Sequence, residues 1–499
     1  MLARRSRVTA ALLATGAAVC LALAGVAAAA TATALPSAGD WTNEKVTRNI
    51  DVGGTITRSS TQYTIRKNES AVAAAPGDTV PYYISLSPEE DVQLAWTKTA
   101  FTLEGQQGDP IILELERASR PNSTHHVYAA QVPKSAIVSE RRAVITFDAT
   151  FSHMSTPKPK TIGQTEPLLL LWQGEVGLRS PYATLEGQVR VRSQHPRILS
   201  YSPNQADAAT KSGSTLTFGP YSNVAPLALD GKADASTLVA GQVHYQHDVP
   251  VISAVEFNRH VEVSHWGNNL ATEDRIWLRN DGAKITSHIL QILTMHLPPG
   301  AKDVYYIDKV GNVSTSHFNG APDAPQLVSA PNMALMQGKT SRLALQPRYP
   351  LLGGWNYSFS VGFNMNLGEG GWGRHVPDAG LSKVAGDLEG AGKGKDRYVV
   401  GVMFMTPMSD VAMDRVQTKI VLPEGAVHER FTSYLDTIGR PAVVLEKTRV
   451  SEQHSQLVYI HYTLSTSAHY RKPVAIAAIV FALFGVISTL RRFDGKISK

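Results

Sequence analysis

With 499 residues the chain is long enough for two domains, and its single cysteine, Cys20, excludes a small scaffold held together by disulfides. The formal charge of +6 is confined to the two ends. Arg4, Arg5 and Arg7 supply half of it, and the surplus of Arg491, Arg492, Lys496 and Lys499 over Asp494 supplies the rest, so the body between is near neutral and implies no nucleic-acid partner.

Taken in order, residues 1–34 read as a secretory signal. The three arginines form a basic start, an apolar run continues from Val8, and small-residue triplets close it near Ala30 to Ala34. Cys20 lies in that apolar run and leaves with it, so the mature chain is expected to have neither disulfide nor thiolate metal ligand.

Beyond the signal, apolar and polar residues alternate with period two through most of the chain. The clearest case is NYSFSVGFNMNL, where Tyr357, Phe359, Val361, Phe363, Met365 and Leu367 alternate with asparagine, serine and glycine, as a strand with one buried face requires. Shorter versions occur at Gln188 to Arg192, at Val261 and Val263, at Val416 to Leu422 and at Leu457 to Leu464. Turn signals such as Leu297-Pro298-Pro299-Gly300 and Leu422-Pro423-Glu424-Gly425 punctuate them. The expectation is a mainly β protein with two antiparallel β-sandwich-like domains, at 35–230 and 238–465, joined by a small polar linker at Asp230 to Thr237. The glycine-rich, charged stretch Gly368 to Lys395 is expected to be a long mobile loop. No repeat of fixed period is visible.

The uncharged stretch 473–490, PVAIAAIVFALFGVISTL, is flanked by Arg471 and Lys472 before it and Arg491 and Arg492 after it. As a helix it reaches about 27 Å, matching the thin hydrocarbon core of the endoplasmic reticulum. With the signal it gives a type I single-pass topology, in which the bulk is luminal or extracellular and 491–499 is a cytosolic tail. Ala475, Ala478, Ala482 and Gly485 fall on one helix face, where small residues let a second membrane helix approach closely. The plainer account is that alanine is common in apolar helices.

Catalytic motifs are few. Gly368, Gly370 and Gly373 match a dinucleotide fingerprint only formally, because Pro377 stands where a helix should start. There is no nucleophile elbow, phosphate loop or zincin motif. His244 and His247 would point to opposite faces of a strand, so a surface role is favoured over metal binding; His125 and His126 are expected to be exposed. Glu89, Glu90, Asp91, Glu273 and Asp274 contain the carboxylate types of a glycosidase but sit in polar stretches that read as solvated loops. No catalytic, cofactor or metal residue is assigned. Asn68, Asn122, Asn312 and Asn356 begin Asn-X-Ser/Thr sequons and are candidate glycan carriers, Asn312 foremost.

In order, the second half contains VEVSHWGNN (261–269), DVYYIDKVGNVSTSH (303–317), LQPRYPLLGGWNYSFSVGF (345–363), IVLPEGA (420–426) and YLDTIGRPAVVLEKTRVSEQHSQ (434–456). These segments resemble the ribophorin I family, the large single-span subunit of the oligosaccharyltransferase complex, and the first half resembles it more loosely through WTNEKVTRNIDVGG. The resemblance implies a non-catalytic, luminal accessory subunit in the endoplasmic reticulum membrane. Its complex moves a lipid-linked oligosaccharide onto asparagine, with the chemistry in a separate multi-span catalytic subunit. It implies that the chain props the assembly and handles nascent polypeptide, and that its helix packs on that subunit and on a small membrane subunit. Asn312 falls on a sequon similar to one glycosylated in the family. The short tail resembles the fungal form. Within these motifs, Ser264 to Gly267 and Arg348 to Trp355 suggest a contact surface with tryptophan anchors. The architectural alternative, favoured on residue type, has Trp266 and Trp355 filling the core, and Tyr305 and Tyr306 likewise. A cell-surface β-sandwich receptor and a membrane-tethered glycan hydrolase are the competing readings.

Overall fold

In the computed structural model the chain is described from residue 41 to residue 493, apart from residues 68–77, 105–108, 119–125, 135–141, 204–208, 228–238, 285–288, 322–339, 369–372, 377–394, 428–433 and 436–439. The signal, the linker Asp230 to Thr237, the sequons at Asn68 and Asn122, His125 and residues 494–499 lie outside the described residues.

Strands form where the alternation predicts them, and their pairing reveals a duplication. The N-terminal half is built on β1 (Trp41–Val52), β2 (Ile56–Lys67), β3 (Leu94–Leu103), β4 (Ala143–Ser152), β5 (Thr184–Ser193) and β6 (Thr215–Val224), which lie side by side in the order β6-β5-β1-β2-β4-β3. The C-terminal half is built on β7 (Ile252–Ser264), β8 (Asn269–Asn280), β9 (Lys302–Asp308), β10 (Asn356–Asn366), β11 (Ala412–Val421) and β12 (Pro441–Val450), in the order β12-β11-β7-β8-β10-β9. Strand for strand, the second order is the first.

The smaller sheets repeat as well. Thr79–Leu86, His126–Pro133 and Leu115–Arg117 pair in that order in the first copy, as Leu293–Leu297, Ser341–Leu345 and Ser316–Asn319 do in the second. Ile198–Ser202, Ala240–Gln246, Leu169–Glu175 and Ser155–Pro157 match Ala426–Val427, Leu457–Ser465, Lys395–Met403 and Gly373–Val376. Even a local irregularity recurs: β1 bulges between Asn43 and Lys45, and β7 bulges at the same position, between Ala254 and Glu256.

Three expectations change. The large sheets are not wholly antiparallel, because β1 runs parallel to β5 and β7 parallel to β11. The strand Ala240–Gln246, expected in the second module, pairs with Leu169–Glu175 and Ile198–Ser202, so the first copy runs to Gln246 and the second starts at Ile252. Part of the supposed loop Gly368 to Lys395 is a strand, Gly373–Val376, hydrogen-bonded to Lys395–Met403.

Each copy has its own apolar core, one around Trp41, Tyr82, Trp172 and Tyr245, the other around Phe257, Met295, Tyr357 and Phe363. Burying each such side chain contributes about 1.5–3 kcal/mol, which is how a fold without disulfides holds together. The copies meet through the β1–β2 turn. Within the first copy Tyr245 donates to the Gly53 carbonyl at 2.6 Å and ties that turn down, and across to the second copy the Thr55 hydroxyl lies 2.9 Å from the Ile252 carbonyl and 3.0 Å from that of Asp410 and accepts from the Ala412 amide at 3.2 Å. Arg58 reaches Glu452 at 2.7 Å and Asp410 at 2.9 Å, and His153 meets Asp414 at 2.7 Å.

After the last strand a single turn, α1 (Thr466–His469), capped by Ser465 through the Ala468 amide at 3.2 Å, leads into α2 (Arg471–Phe493). Among the described residues α2 is the one helix long and apolar enough to cross a membrane.

Candidate interaction surface

Of the carboxylates raised by the sequence, Glu90, Asp91, Glu273 and Asp274 are held in ion pairs, and Glu89 is exposed. Glu90 lies in a short helix, Pro88–Gln93, whose first turn is capped by Ser87 accepting from the Glu90 amide at 3.1 Å, and its side chain is buried against Arg48 at 2.6 Å. Asp91 meets Arg117 and His126, each at 3.0 Å, and accepts from Tyr128, whose phenol is pushed up by burial and by that acid. Glu273 and Asp274 sit in strand β8 rather than in a solvated loop. Glu273 points out onto Arg275 at 2.9 Å. Asp274 points in, receives Arg259 on both oxygens at 2.7 Å, and also accepts from Thr406 at 2.7 Å. Alternation along one strand separates these two acids, so neither pairs with the other across a substrate. Among the described residues no group of three or more His, Cys, Asp or Glu side chains is placed to hold a metal.

The histidines split as their spacing requires, but His247 is buried, against expectation, at the junction where the Ala240–Gln246 strand ends. His244 is half-buried with Nε2 2.8 Å from the Lys158 carbonyl oxygen.

Of the two described sequons, Asn312 is exposed on a turn held from below. Asp308 accepts from the Val310 and Gly311 amides at 2.9 and 3.0 Å and takes a two-pronged hydrogen bond from Arg348 at 2.7 and 3.1 Å. These bonds, Arg348 first among them, hold the Asp308 carboxyl at about 2. Arg348 also donates to the Asn312 carbonyl at 3.3 Å. Asn356 opens β10 and is exposed on its outer face.

The tryptophans overturn the core reading. Trp266 is 56% exposed and Trp355 is 50% exposed. Both stand in turns beyond the ends of strands, Trp266 between β7 and β8 and Trp355 just before β10 after the left-handed Gly354 (φ +82°), so among the described residues neither lies under a second sheet. Tyr305 and Tyr306 divide by strand alternation: Tyr306 is buried, hydrogen-bonded to Tyr357 at 2.7 Å, and Tyr305 faces out. On the outer face of the second copy Trp277 lies opposite Ser358, Ile307 opposite Ser360 and Tyr305 opposite Gly362. The Tyr305 ring lies so close over Gly362 that a Cβ there would fall 2.0 Å from it. On the other side of the same small residues stand Arg275, opposite Ser360, and Glu273, opposite Gly362, so the outer face sets the exposed Trp277, Tyr305 and Ile307 beside a surface ion pair over a line of small residues.

Along α2, Ala475, Ala478, Ala482 and Gly485 are all exposed, and nothing lies within 4 Å of a Cβ built on Gly485.

A family model described as Ribophorin I matches residues 41–491. The chain belongs to the ribophorin I family. Its relatives include subunit 1B of the dolichyl-diphosphooligosaccharide–protein glycosyltransferase of Oryza sativa subsp. japonica, 26% identical over 83% of this chain and 85% of the rice protein. Subunit 1A of Arabidopsis thaliana is 27% identical over 93% of this chain and 72% of its own length, and subunit 1 of Caenorhabditis elegans 26% over 92% and 73%. Among solved structures, leukotriene A4 hydrolase of Saccharomyces cerevisiae overlaps 44% of the chain and 31% of its own at a TM-score of 0.25 and 7% identity, too slight a likeness to bear on fold or chemistry. For a ribophorin I family member, the exposed tryptophans and the outer face of the second copy are what residue type alone missed. The available signal was position, since both tryptophans sit beside glycines outside the alternating runs.

Proposed function

We propose that the chain is a non-catalytic structural subunit of an oligosaccharyltransferase, the complex that transfers oligosaccharide from dolichyl diphosphate to asparagine of Asn-X-Ser/Thr in nascent chains. On this reading its two β copies are luminal domains, α2 is a type I anchor in the endoplasmic reticulum membrane, and Asn312 and Asn356 carry glycans. The small-residue face of α2 packs on the multi-span catalytic subunit and a small membrane subunit, and the exposed aromatics meet neighbouring subunits and emerging polypeptide. The observation that carries the proposal is likeness over most of the chain to proteins named as subunit 1 of that glycosyltransferase. The engagement of Glu90, Asp91, Glu273 and Asp274 in ion pairs with neighbouring side chains of the same fold supports a scaffold over a hydrolase.

Purification in mild detergent tests it. The chain is expected to bring down a multi-span glycosyltransferase, and by itself to transfer no oligosaccharide to an acceptor peptide. Recovery of the chain alone, or turnover of the lipid-linked donor by the isolated chain, overturns the proposal.

A further inference from the structure

The turn between β1 and β2 is where the first copy docks onto the second, through Thr55. By the duplication its counterpart in the second copy is the β7–β8 turn, which carries Trp266. No third copy meets it among the described residues. Instead a pocket of about 200 Å³ opens there, lined by Glu262, Trp266, Glu424, Arg440, Ala468 and Lys472. Lys472 is the second residue of α2, so one wall of the pocket is the first turn of the membrane helix.

Several contacts fix this wall. Lys472 meets Glu424 at 3.0 Å, and Gly425, in the left-handed region at φ +79°, lets Ala468 approach to where a Cβ on residue 425 would sit 2.6 Å from the Ala468 Cβ. On the opposite side Arg440 meets Glu262 at 3.2 Å and donates to the Leu422 and Val263 carbonyls, each at 3.1 Å. The pocket thus presents two cations and two carboxylates side by side, with an exposed indole at its rim. A purely anionic group would face two acids, and a purely cationic one two bases. A headgroup with a phosphate and an ammonium a few bonds apart satisfies both pairs, and the indole face suits the ammonium. Tryptophan beside a lysine at the head of a span is also the usual composition of the headgroup layer.

We infer that this pocket, between the β7–β8 turn and the head of α2, binds the headgroup of a zwitterionic phospholipid of the leaflet from which the helix emerges. The phosphate lies against Lys472 and Arg440, the ammonium against Glu262, Glu424 and Trp266, and the bound lipid fixes the tilt of the second copy over the membrane. The inference rests on α2 being the membrane anchor.

The test uses the full chain in nanodiscs of phosphatidylglycerol doped with phosphatidylcholine spin-labelled on its choline nitrogen, read by intrinsic tryptophan fluorescence. The expected result is a component quenched saturably at low mole fraction of labelled lipid. Trp266→Phe abolishes that component, and Glu262→Gln with Glu424→Gln raises the half-saturating fraction roughly fivefold or more. Trp266 is exposed, so the phenylalanine variant keeps the fold, and unchanged near-UV dichroism checks this. Quenching that rises linearly from the start, or survives in Trp266→Phe, overturns the site while leaving the anchor standing. A chain that does not co-elute with the discs overturns the anchor and the site together.

Discussion

Arg48 and Arg259 occupy the same place in the two copies, the eighth residue of the bulged first strand, and each is buried against a carboxylate: Arg48 on Glu90 at 2.6 Å, Arg259 on Asp274 at 2.7 Å. The partner differs in origin, a capped helix in one copy and the neighbouring strand in the other. An arginine placed on the buried side of β1 and β7 demands a local anion, and each copy found its own.

Removing one partner should therefore expose the dependence. Asp274→Ala strands the Arg259 guanidinium, 1% exposed, and is expected to cost about 3–5 kcal/mol, read as a fall in the denaturation midpoint. Arg259→Met together with Asp274→Leu should recover most of that loss, because two apolar side chains of similar volume carry no desolvation cost. An Asp274→Ala chain as stable as the parent would remove the pair from the fold's supports.

Gly425 makes the second prediction. Alanine there must hold φ near +79° and displace Ala468 in α1. The expected cost is about 1–3 kcal/mol, with faster amide exchange at Ala468, because the link between the sheet and α2 loosens. Unaltered exchange would show that α1 does not depend on that close approach.

Much of the fold was legible because its rule is local. Strand β10 obeys period two from Tyr357 to Met365, and the charge-free run in α2 needs no partner to be read. The duplication was not legible, since what repeats is the order of pairing and the place of a bulge, while the connections and the exposed faces have diverged. Nor was the position of Trp266 and Trp355: residue type favours the core, and only the ends of β7 and the start of β10 put them outside it. Glu273 and Asp274 looked like one polar patch, but the strand sends one outward to a surface pair with Arg275 and the other inward to a buried pair with Arg259.

The Asn312 sequon is held out on a turn whose backbone is pinned by Asp308 and Arg348. Asn312→Gln is expected to remove one endoglycosidase-sensitive step in electrophoretic mobility from the protein expressed through the secretory pathway. The same mobility before and after the substitution would mean that the site is not used.

The face of α2 bearing Ala475, Ala478, Ala482 and Gly485 supplies a fourth. Ala478→Leu with Ala482→Leu adds bulk where a neighbouring helix is proposed to lie, so recovery of the complex in mild detergent should drop while the denaturation midpoint of the β copies stays the same. Full recovery would place the partner helix on another face.

Acid should act on the junction between the copies. His454 lies in the short helix Glu452–His454, accepts from the Ser451 amide at 3.2 Å, and has its pKa lowered to about 4, chiefly by burial and then by Lys447. Its unfolded value is about 6.5, so between those two pH values the unfolded chain binds a proton that the folded chain refuses. Stability must then fall as pH falls from 6.5 towards 4, by at most about 1.4 kcal/mol per pH unit from this residue. His296, also lowered by burial, adds a slope of the same sign, whereas Asp308, held near 2, stabilises above the ordinary carboxylate range and loses its contribution only below it. The decisive quantity is the difference between the parent and His454→Asn, which keeps an acceptor for the Ser451 amide but cannot take up the proton. Parallel stability curves for the two chains between pH 6.5 and 4 would show that His454 titrates freely; a steeper parent curve would show that acid works on the helix whose Glu452 carries the bridge to Arg58.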